Sequence, residues 1–481
     1  MVAMKVRDVP NRLVIGPEEP AGMDCFADDR DALNDFAKYY NNAHLSDVNI
    51  IVGDDTRLIL GELASLRFCM FVNFSFAAHR LILAKNSEVF DRMLSQRWNG
   101  DRKDLEIVED APCQKVFPAF LRFLYCNHVV LHQDNCLPIL ILADKYNVIS
   151  LKKVCIDFAI SEILPSLTLK DVFSIWFSYA TKAYHQLLIR ACIQAIARDF
   201  ELLITEEWEK SWLALDRDQM IEILKCNQLV VAREKEAQKE FRNKLNEYRL
   251  WEAVVRWLQA PNHPERRGAT ASPLLTSLLP YIRFPFMTAD ELTLVERSQF
   301  AECYPKLFHP QILLAYKFQA LPLSSRVNCK EFFTTQFLLR NYTDVRWDKR
   351  ISISNEQLYQ RGVDHSFQIR TRSCTFPLQT WQWTLKLGGS SYSNAVDDVL
   401  KAYLISEDID QPSRSIEYML SIVDEKRILR SFSSKKNFTK TRYSSELDID
   451  RKVEINDLLT EDSPLLVNGE LHLQITLRPI D

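Results

Sequence analysis

The run from Phe76 to Leu94, read together with Asp47 to Val52, constrains the fold of this chain more than any other feature. Phe76-Ala-Ala-His79-Arg80 has the look of a strand end, and the residues after it form an amphipathic helix. Ser87 offers a hydroxyl N-cap, with Glu88 and Asp91 placed in the positively polarised first turn. Val89, Phe90, Met93 and Leu94 then make an apolar stripe at helical spacing. Asp47 to Val52 reads as a buried strand, with Phe76 to Arg80 as its hairpin partner. His79 therefore sits where its neighbours are apolar.

The pattern continues downstream. Leu105 and Ile107 alternate as a short strand. Val116, Phe117, Phe120, Leu121 and Leu124 define a helix, and Leu137 to Tyr146 another. Upstream, Leu33, Phe36, Ala37 and Tyr40 predict a helix over residues 31–42. Residues 1–30, rich in Pro, Gly and Asp and without periodicity, predict a flexible leader. Between the paired strands the segment Arg57 to Ser75 is longer than a hairpin needs and fits neither period cleanly. It reads either as a genuine loop or as a segment foreign to the fold, the second being preferred.

Together these features resemble the BTB/POZ fold, an α/β module for self-association and partner binding. The resemblance places that domain at residues 31–148. The helix at 31–42 would then pack across a dimer partner, although an ordinary capping helix fits the same residues. After Asn147 the pattern stays helical, with a strong stripe at Trp251, Val254, Val255, Trp257 and Leu258. Glu247-Tyr-Arg-Leu-Trp251 and Arg283-Phe284 resemble the all-α BACK domain, expected over 149–320. Charged residues 233–246 interrupt it, as a solvent-facing helix extension or as a second foreign insertion.

From about residue 325 the period becomes two. Trp381, Trp383, Leu385 and Leu387 alternate with polar residues, as do Leu471, Leu473, Ile475 and Leu477. Half-buried strands in this number predict an antiparallel β-sandwich. The ending resembles a TRAF/MATH-type domain, placed at 325–481. The expected fold is thus multidomain α+β.

Composition narrows the function. Only 10 glycines occur in 481 residues, and phosphate-cradling loops and nucleophile elbows depend on glycine. No GxGxxG, GxxxxGK[ST] or GxSxG is present, so nucleotide-dependent chemistry is disfavoured and no cofactor is expected. The 11 cysteines include no CxxC, which argues against a zinc site and for buried free thiols in a reducing compartment. The N-terminus lacks the apolar core of a signal peptide, and no apolar run approaches the ~20 residues of a membrane span. Cytoplasm is expected, with the nucleus as an alternative. Sequons at Asn73, Asn341 and Asn437 would matter only if a signal peptide were missing from this sequence.

His79 reads as a structural residue rather than a catalytic base, since no nucleophile lies in register with it. Asp47 is expected to satisfy buried donors near a dimer seam, with a plain turn-side carboxylate as the other reading. Cullin-3-binding BTB proteins carry a hydrophobic-x-Glu motif, and the corresponding positions are Trp98-Asn99-Gly100. The glutamate is replaced by Gly100, and Trp98 reads equally as a loop aromatic. Tyr125 and Tyr146 are candidates for the same cullin-facing surface. The basic run Lys426 to Arg442, interleaved with Phe432 and Phe438, reads as a solvated hairpin in preference to a nucleic-acid patch. The resemblance implies a non-enzymatic homodimeric adaptor that recruits a client through its sandwich to a cullin-3 ubiquitin ligase. The alternative is a BTB–BACK scaffold or secreted galectin-binding-type glycoprotein. Neither nucleic acid nor membrane is an expected partner.

Overall fold

The computed structural model describes residues 22–26, 34–53, 74–95, 102–229, 247–268, 271–340, 348–354, 365–372, 380–388, 400–410, 412–448, 463–467 and 469–480. Two compact units divide the chain. The first comprises Met1–Thr168 with Lys182–Ala191, the second Leu169–Thr181 with Cys192–Asp481. Most of residues 57–75, all of 233–246, and Trp98, Asn99 and Gly100 lie outside the described residues.

In the first unit, β1 (Met23–Phe26) precedes a three-stranded sheet of β2 (Val48–Gly53), β3 (Phe74–Ala78) and β4 (Asp104–Val108). β2 is central, antiparallel to β3 with Val48 opposite Ala78, and parallel to β4 with Ile50 opposite Leu105. The predicted hairpin is present, but β3 begins at Phe74. Phe74 and Ser75, assigned from sequence to the segment 57–75, therefore belong to the strand. Their alternation with Phe76 is what pairing with Val52 and Ile51 uses. Helices Ala111–Cys126 and Gln133–Lys145 cover the sheet and bury Phe117, Phe120, Leu121, Leu124, Ile139 and Leu142.

The leader expected over residues 1–30 is not structureless at its end. β1 pairs antiparallel with β5 (His128–Leu131), Met23 opposite Leu131. The pairing satisfies backbone groups, and a strand of four residues is too short to show a side-chain period. Gly22 makes the approach possible, because a Cβ there would stand 2.8 Å from the Leu131 carbonyl oxygen. The helix expected at 31–42 is, among the described residues, a short 3₁₀ segment, Asn34–Tyr39.

The residues after His79 form two helices, Arg80–Asn86 and Glu88–Met93. Ser87 separates them in an extended conformation, and its Oγ accepts from the Phe90 N–H as an N-cap should. Phe90 and Leu94 are buried, while Val89 and Met93 are half-buried.

Among its described residues the second unit is helical up to Phe337 and then turns to strands. Trp251, Val254, Trp257 and Leu258 are buried along one face of the helix Glu247–Leu258, as the stripe required. The period change expected at 325 comes later. Helical turns Lys330–Phe333 and Thr335–Phe337 follow it, and the next described strand is β6 (Asp348–Ser354). The reason is packing: Phe318, Phe332, Phe337 and Leu338 share a core with Val423 and Ile428.

Two antiparallel sheets close the chain. One runs β11 (Ile428–Phe438), β10 (Arg414–Val423), β14 (Glu470–Ile480) and β13 (Leu466–Val467), with β6 also on β14. The other runs β12 (Ser444–Glu446), β9 (Lys401–Ser406), β8 (Thr380–Gly388) and β7 (His365–Arg372). Trp381, Trp383, Leu385 and Leu387 meet Ile416, Tyr418, Leu420, Leu473, Ile475 and Leu477 in one core.

The first of these sheets is not half-buried, as alternation suggested. Glu417, Ser421, His472 and Gln474, on its opposite face, are buried too. Helical turns cover them, and polar side chains there satisfy polar backbone. Glu417 accepts from the Ser324 N–H at 3.2 Å. Gln474 accepts from the Leu339 N–H at 3.1 Å and donates to the Phe337 carbonyl at 3.1 Å. Beside them Arg340, fully buried, donates to Glu247 at 2.8 Å, to the Tyr281 carbonyl at 3.1 Å and to the Cys226 carbonyl.

Candidate protein-interaction site around His79

The hairpin places His79 and Asp47 side by side, one residue beyond the last ladder pair Val48–Ala78. His79 opens the helix Arg80–Asn86, whose first N–H groups lack partners within the helix. The Asp47 carboxylate accepts from the Arg80 N–H at 2.8 Å and supplies one of those partners. It also carries the sign that a helix N-terminus favours.

His79 itself is closed off. Its Nε2 lies 2.9 Å from the His44 carbonyl, and its Nδ1 lies 3.1 Å from the Tyr125 hydroxyl. A carbonyl can only accept, so Nε2 carries the ring proton and Nδ1 accepts from Tyr125. The Tyr125 oxygen in turn accepts from the His79 backbone N–H at 3.0 Å. Burial pushes the Tyr125 hydroxyl up to about 12, so it stays protonated and able to donate at neutral pH. Both ring nitrogens are used, which leaves His79 no lone pair for base catalysis.

The loop before β2 is fixed to this network. Tyr39 and Tyr40 pack edge-on against His79 and Tyr125, at 5.7 and 6.0 Å between ring centroids. The Tyr40 hydroxyl, pushed up to about 12 by burial, donates to the Pro118 carbonyl at 3.0 Å. Asn41 accepts from the Ala77 N–H at 3.1 Å. Leu45 has φ 61°, a left-handed conformation that costs a leucine about 1–2 kcal/mol. The strained backbone turns its side chain to solvent, 72% exposed. Leu81, 82% exposed, and Phe36, 42% exposed, flank the same network. The ring nitrogens of His79 and the Tyr125 hydroxyl are spent internally, while Phe36, Leu45 and Leu81 face out beside the exposed polar residues Asn42, His44 and Asp47. Exposed apolar side chains of this kind are a feature of interaction surfaces.

The two tyrosines expected on a cullin-facing surface are internal. Tyr125 and Tyr146 are 2% and 1% exposed. Tyr146 stacks on Phe90 at 4.6 Å and donates to Glu109 at 2.5 Å, while Lys145 reaches the same carboxylate oxygen at 2.8 Å. Burial raises the Tyr146 hydroxyl far above its ordinary value. Their ring area fills the core between the helices and the sheet, which is why neither faces outward.

Glu109 and Arg340 escaped the sequence reading, which placed Tyr40 and Glu247 on helices without a polar role. All four belong to buried polar networks. Glu247 had a visible signal, since it begins the apolar stripe that continues through Leu250, Trp251 and Val254. Among the described residues no group of three or more His, Cys, Asp or Glu is arranged to hold a metal ion, and no helix is long and apolar enough to cross a membrane.

The model of the BTB/POZ domain family matches residues 66–163, and the chain carries a BTB/POZ domain, a module that usually serves protein–protein interaction. The match begins within the segment 57–75 and runs past residue 148 through the helix Ile149–Phe158. Over 84% of its length the chain is 23% identical to BTB/POZ domain-containing protein 17 of Xenopus laevis, covering 83% of that protein. It is 26% identical to BTB/POZ domain-containing protein 17 of Homo sapiens over 61% of this chain and 55% of that one. BTB/POZ domain-containing protein 6 of Xenopus laevis is 26% identical over 67% of this chain and 57% of its own length.

Proposed function

We propose that this chain is a non-enzymatic adaptor that forms a homodimer through the surface around His79 and recruits a client through its C-terminal double sheet. The observation that carries the proposal is the exposure of Phe36, Leu45 and Leu81 around a hydrogen-bonded network with no free polar atom on His79. Exposed apolar side chains grouped in this way are costly in water unless a partner covers them. In this reading the helices from residue 149 form a BACK-like spacer and the two antiparallel sheets a TRAF-like recruiting domain. Pairing two client arms raises the effective concentration of weak sites.

The output is substrate presentation to a cullin-3 ubiquitin ligase. With Tyr125 and Tyr146 internal, cullin contacts fall to Trp98 and Asn99 and to the helix Ile149–Phe158, whose first residue is 72% exposed. Among the described residues the buried Cys113, Cys126, Cys136 and Cys192 form no disulfide, which favours a reducing compartment, cytoplasm or nucleus, over the secreted-glycoprotein alternative.

Sedimentation equilibrium of the full chain, alone and with purified cullin-3, tests the reading. A dimer that takes up cullin-3 is the expected result. A dimer that never does removes the ligase output, and a monomer removes the adaptor.

A further inference from the structure

We infer that β4, in the first unit, is a docking edge that takes a basic segment of a partner protein in extended conformation. The inference stands apart from the self-association and recruiting roles proposed above, since it uses neither the surface around His79 nor the double sheet. β4 is an edge strand, and its only strand partner among the described residues is β2. The ladder fixes which of its backbone groups face outward. The Asn49 N–H donates to the Lys103 carbonyl at 2.7 Å, and the Glu109 N–H donates to the Gly53 carbonyl at 3.0 Å. Odd-numbered residues from 103 to 109 therefore bond β2, and the even-numbered ones turn away.

The outward row is closed at both ends and open between them. Arg80 donates to the Arg102 carbonyl, and Lys145 Nζ donates to the Val108 carbonyl at 2.9 Å. Between these caps, the N–H and C=O groups of Asp104 and Glu106 and the Val108 N–H have no partner among the described residues. The other edge of the sheet differs, because the outward Ala77 N–H of β3 is taken by Asn41 at 3.1 Å. An open strand edge is a template for one more strand.

The side chains of the open stretch define the guest. Leu105 and Ile107 are buried, while Asp104, Glu106 and Val108 are exposed together on the opposite face. The two carboxylates thus stand two residues apart on one face, and the neighbouring cations Arg102 and Lys103 precede the strand. Asp104 accepts from the neutral Asn49 amide at 3.3 Å, and Glu106 has no ion-pair partner among the described residues. A second copy of β4 is a poor guest, because two such strands laid antiparallel would set carboxylate against carboxylate. A guest with Lys or Arg at alternate positions meets Asp104 and Glu106 with opposite charge while its backbone continues the sheet.

The probe is a fluorescein-labelled peptide of alternating Lys and Val, titrated into the full-length chain and read by anisotropy. Comparators are the matching Asp/Val peptide and a fully N-methylated Lys/Val peptide. The Lys/Val peptide is expected to bind, more weakly as salt rises, and both comparators to bind at least about tenfold more weakly. Hydrogen exchange places the contact, with slowed exchange expected at the Glu106 and Val108 amides when the peptide is bound. D104K/E106K is expected to lose about tenfold in affinity for it. The comparators and the exchange measurement use the unchanged protein, so a variant that fails to fold does not decide the matter. No binding of the Lys/Val peptide, equal binding of its N-methylated form, or binding without protection between residues 104 and 108 overturns the inference.

Discussion

Replacing Arg340 by methionine is predicted to destabilise the second unit by about 3–5 kcal/mol, the range for breaking one partner out of a buried ion pair. The side chains of Arg340 and Glu247 are each 1% exposed, and Nε reaches Oε1 at 2.8 Å. Removal strands the Glu247 carboxylate and also leaves the Cys226 and Tyr281 carbonyls without their donor. Two features moderate the loss. Arg340 lies close enough to Arg283 to disfavour its charge, although burial is the larger cause of that depression. Arg283, whose charge Glu247 favours electrostatically, remains near the stranded carboxylate. The lower end of the range, about 3 kcal/mol, is therefore expected. Urea unfolding of the full chain, followed by tryptophan fluorescence, measures it, because Trp251 and Trp257 lie on the helix that Glu247 begins. The double variant E247L/R340M removes both charges and should recover to within about 1–2 kcal/mol of the parent. A loss below about 1 kcal/mol in R340M, or a double variant as unstable as the sum of the singles, would refute the reasoning.

Three further outcomes are expected. Burial, with Arg350 nearby, lowers His472 from 6.5 to about 4. Between those values the unfolded chain binds a proton that the folded chain refuses, so the contribution is intact above pH 6.5 and is lost as pH falls towards 4. The shift corresponds to at most about 3 kcal/mol, and to about 1–2 after solvent screening. The pH dependence of unfolding should flatten by that amount in His472→Gln, and an unchanged curve would contradict it. Tyr146→Phe should cost about 1–2 kcal/mol in thermal or urea unfolding and leave cullin-3 uptake unchanged. A selective loss of uptake without loss of stability would return Tyr146 to the surface. Tyr125→Phe removes the acceptor of the buried His79 N–H and should destabilise the first unit by a similar amount, measured the same way.

How much of this was legible in the sequence follows from what each feature depends on. Ser87 as a cap, the β2–β3 hairpin and the stripes of β8 and β14 rest on local chemistry and side-chain period, and each appears where expected. β1 depends on backbone pairing with β5, and backbone carries no periodic signal. The burial of His472 and Gln474 depends on helical turns packed on the second face of the sheet, which alternation within one strand does not reveal. Tyr125 and Tyr146 were placed on a cullin-facing surface by the family resemblance alone. Their hydroxyls are instead spent on His79 and Glu109, partners 46 and 37 residues away in sequence. At the candidate site, His79 and Asp47 were visible from the hairpin pattern. Leu45 was not, since its exposure comes from a left-handed backbone that no side-chain pattern announces.

Light scattering of the full chain beside L45D and L81E tests the central claim most directly. The account predicts a species of twice 56.1 kDa for the parent chain and of 56.1 kDa for each folded variant. A parent that is monomeric at micromolar concentration, or variants that remain dimeric, would contradict it.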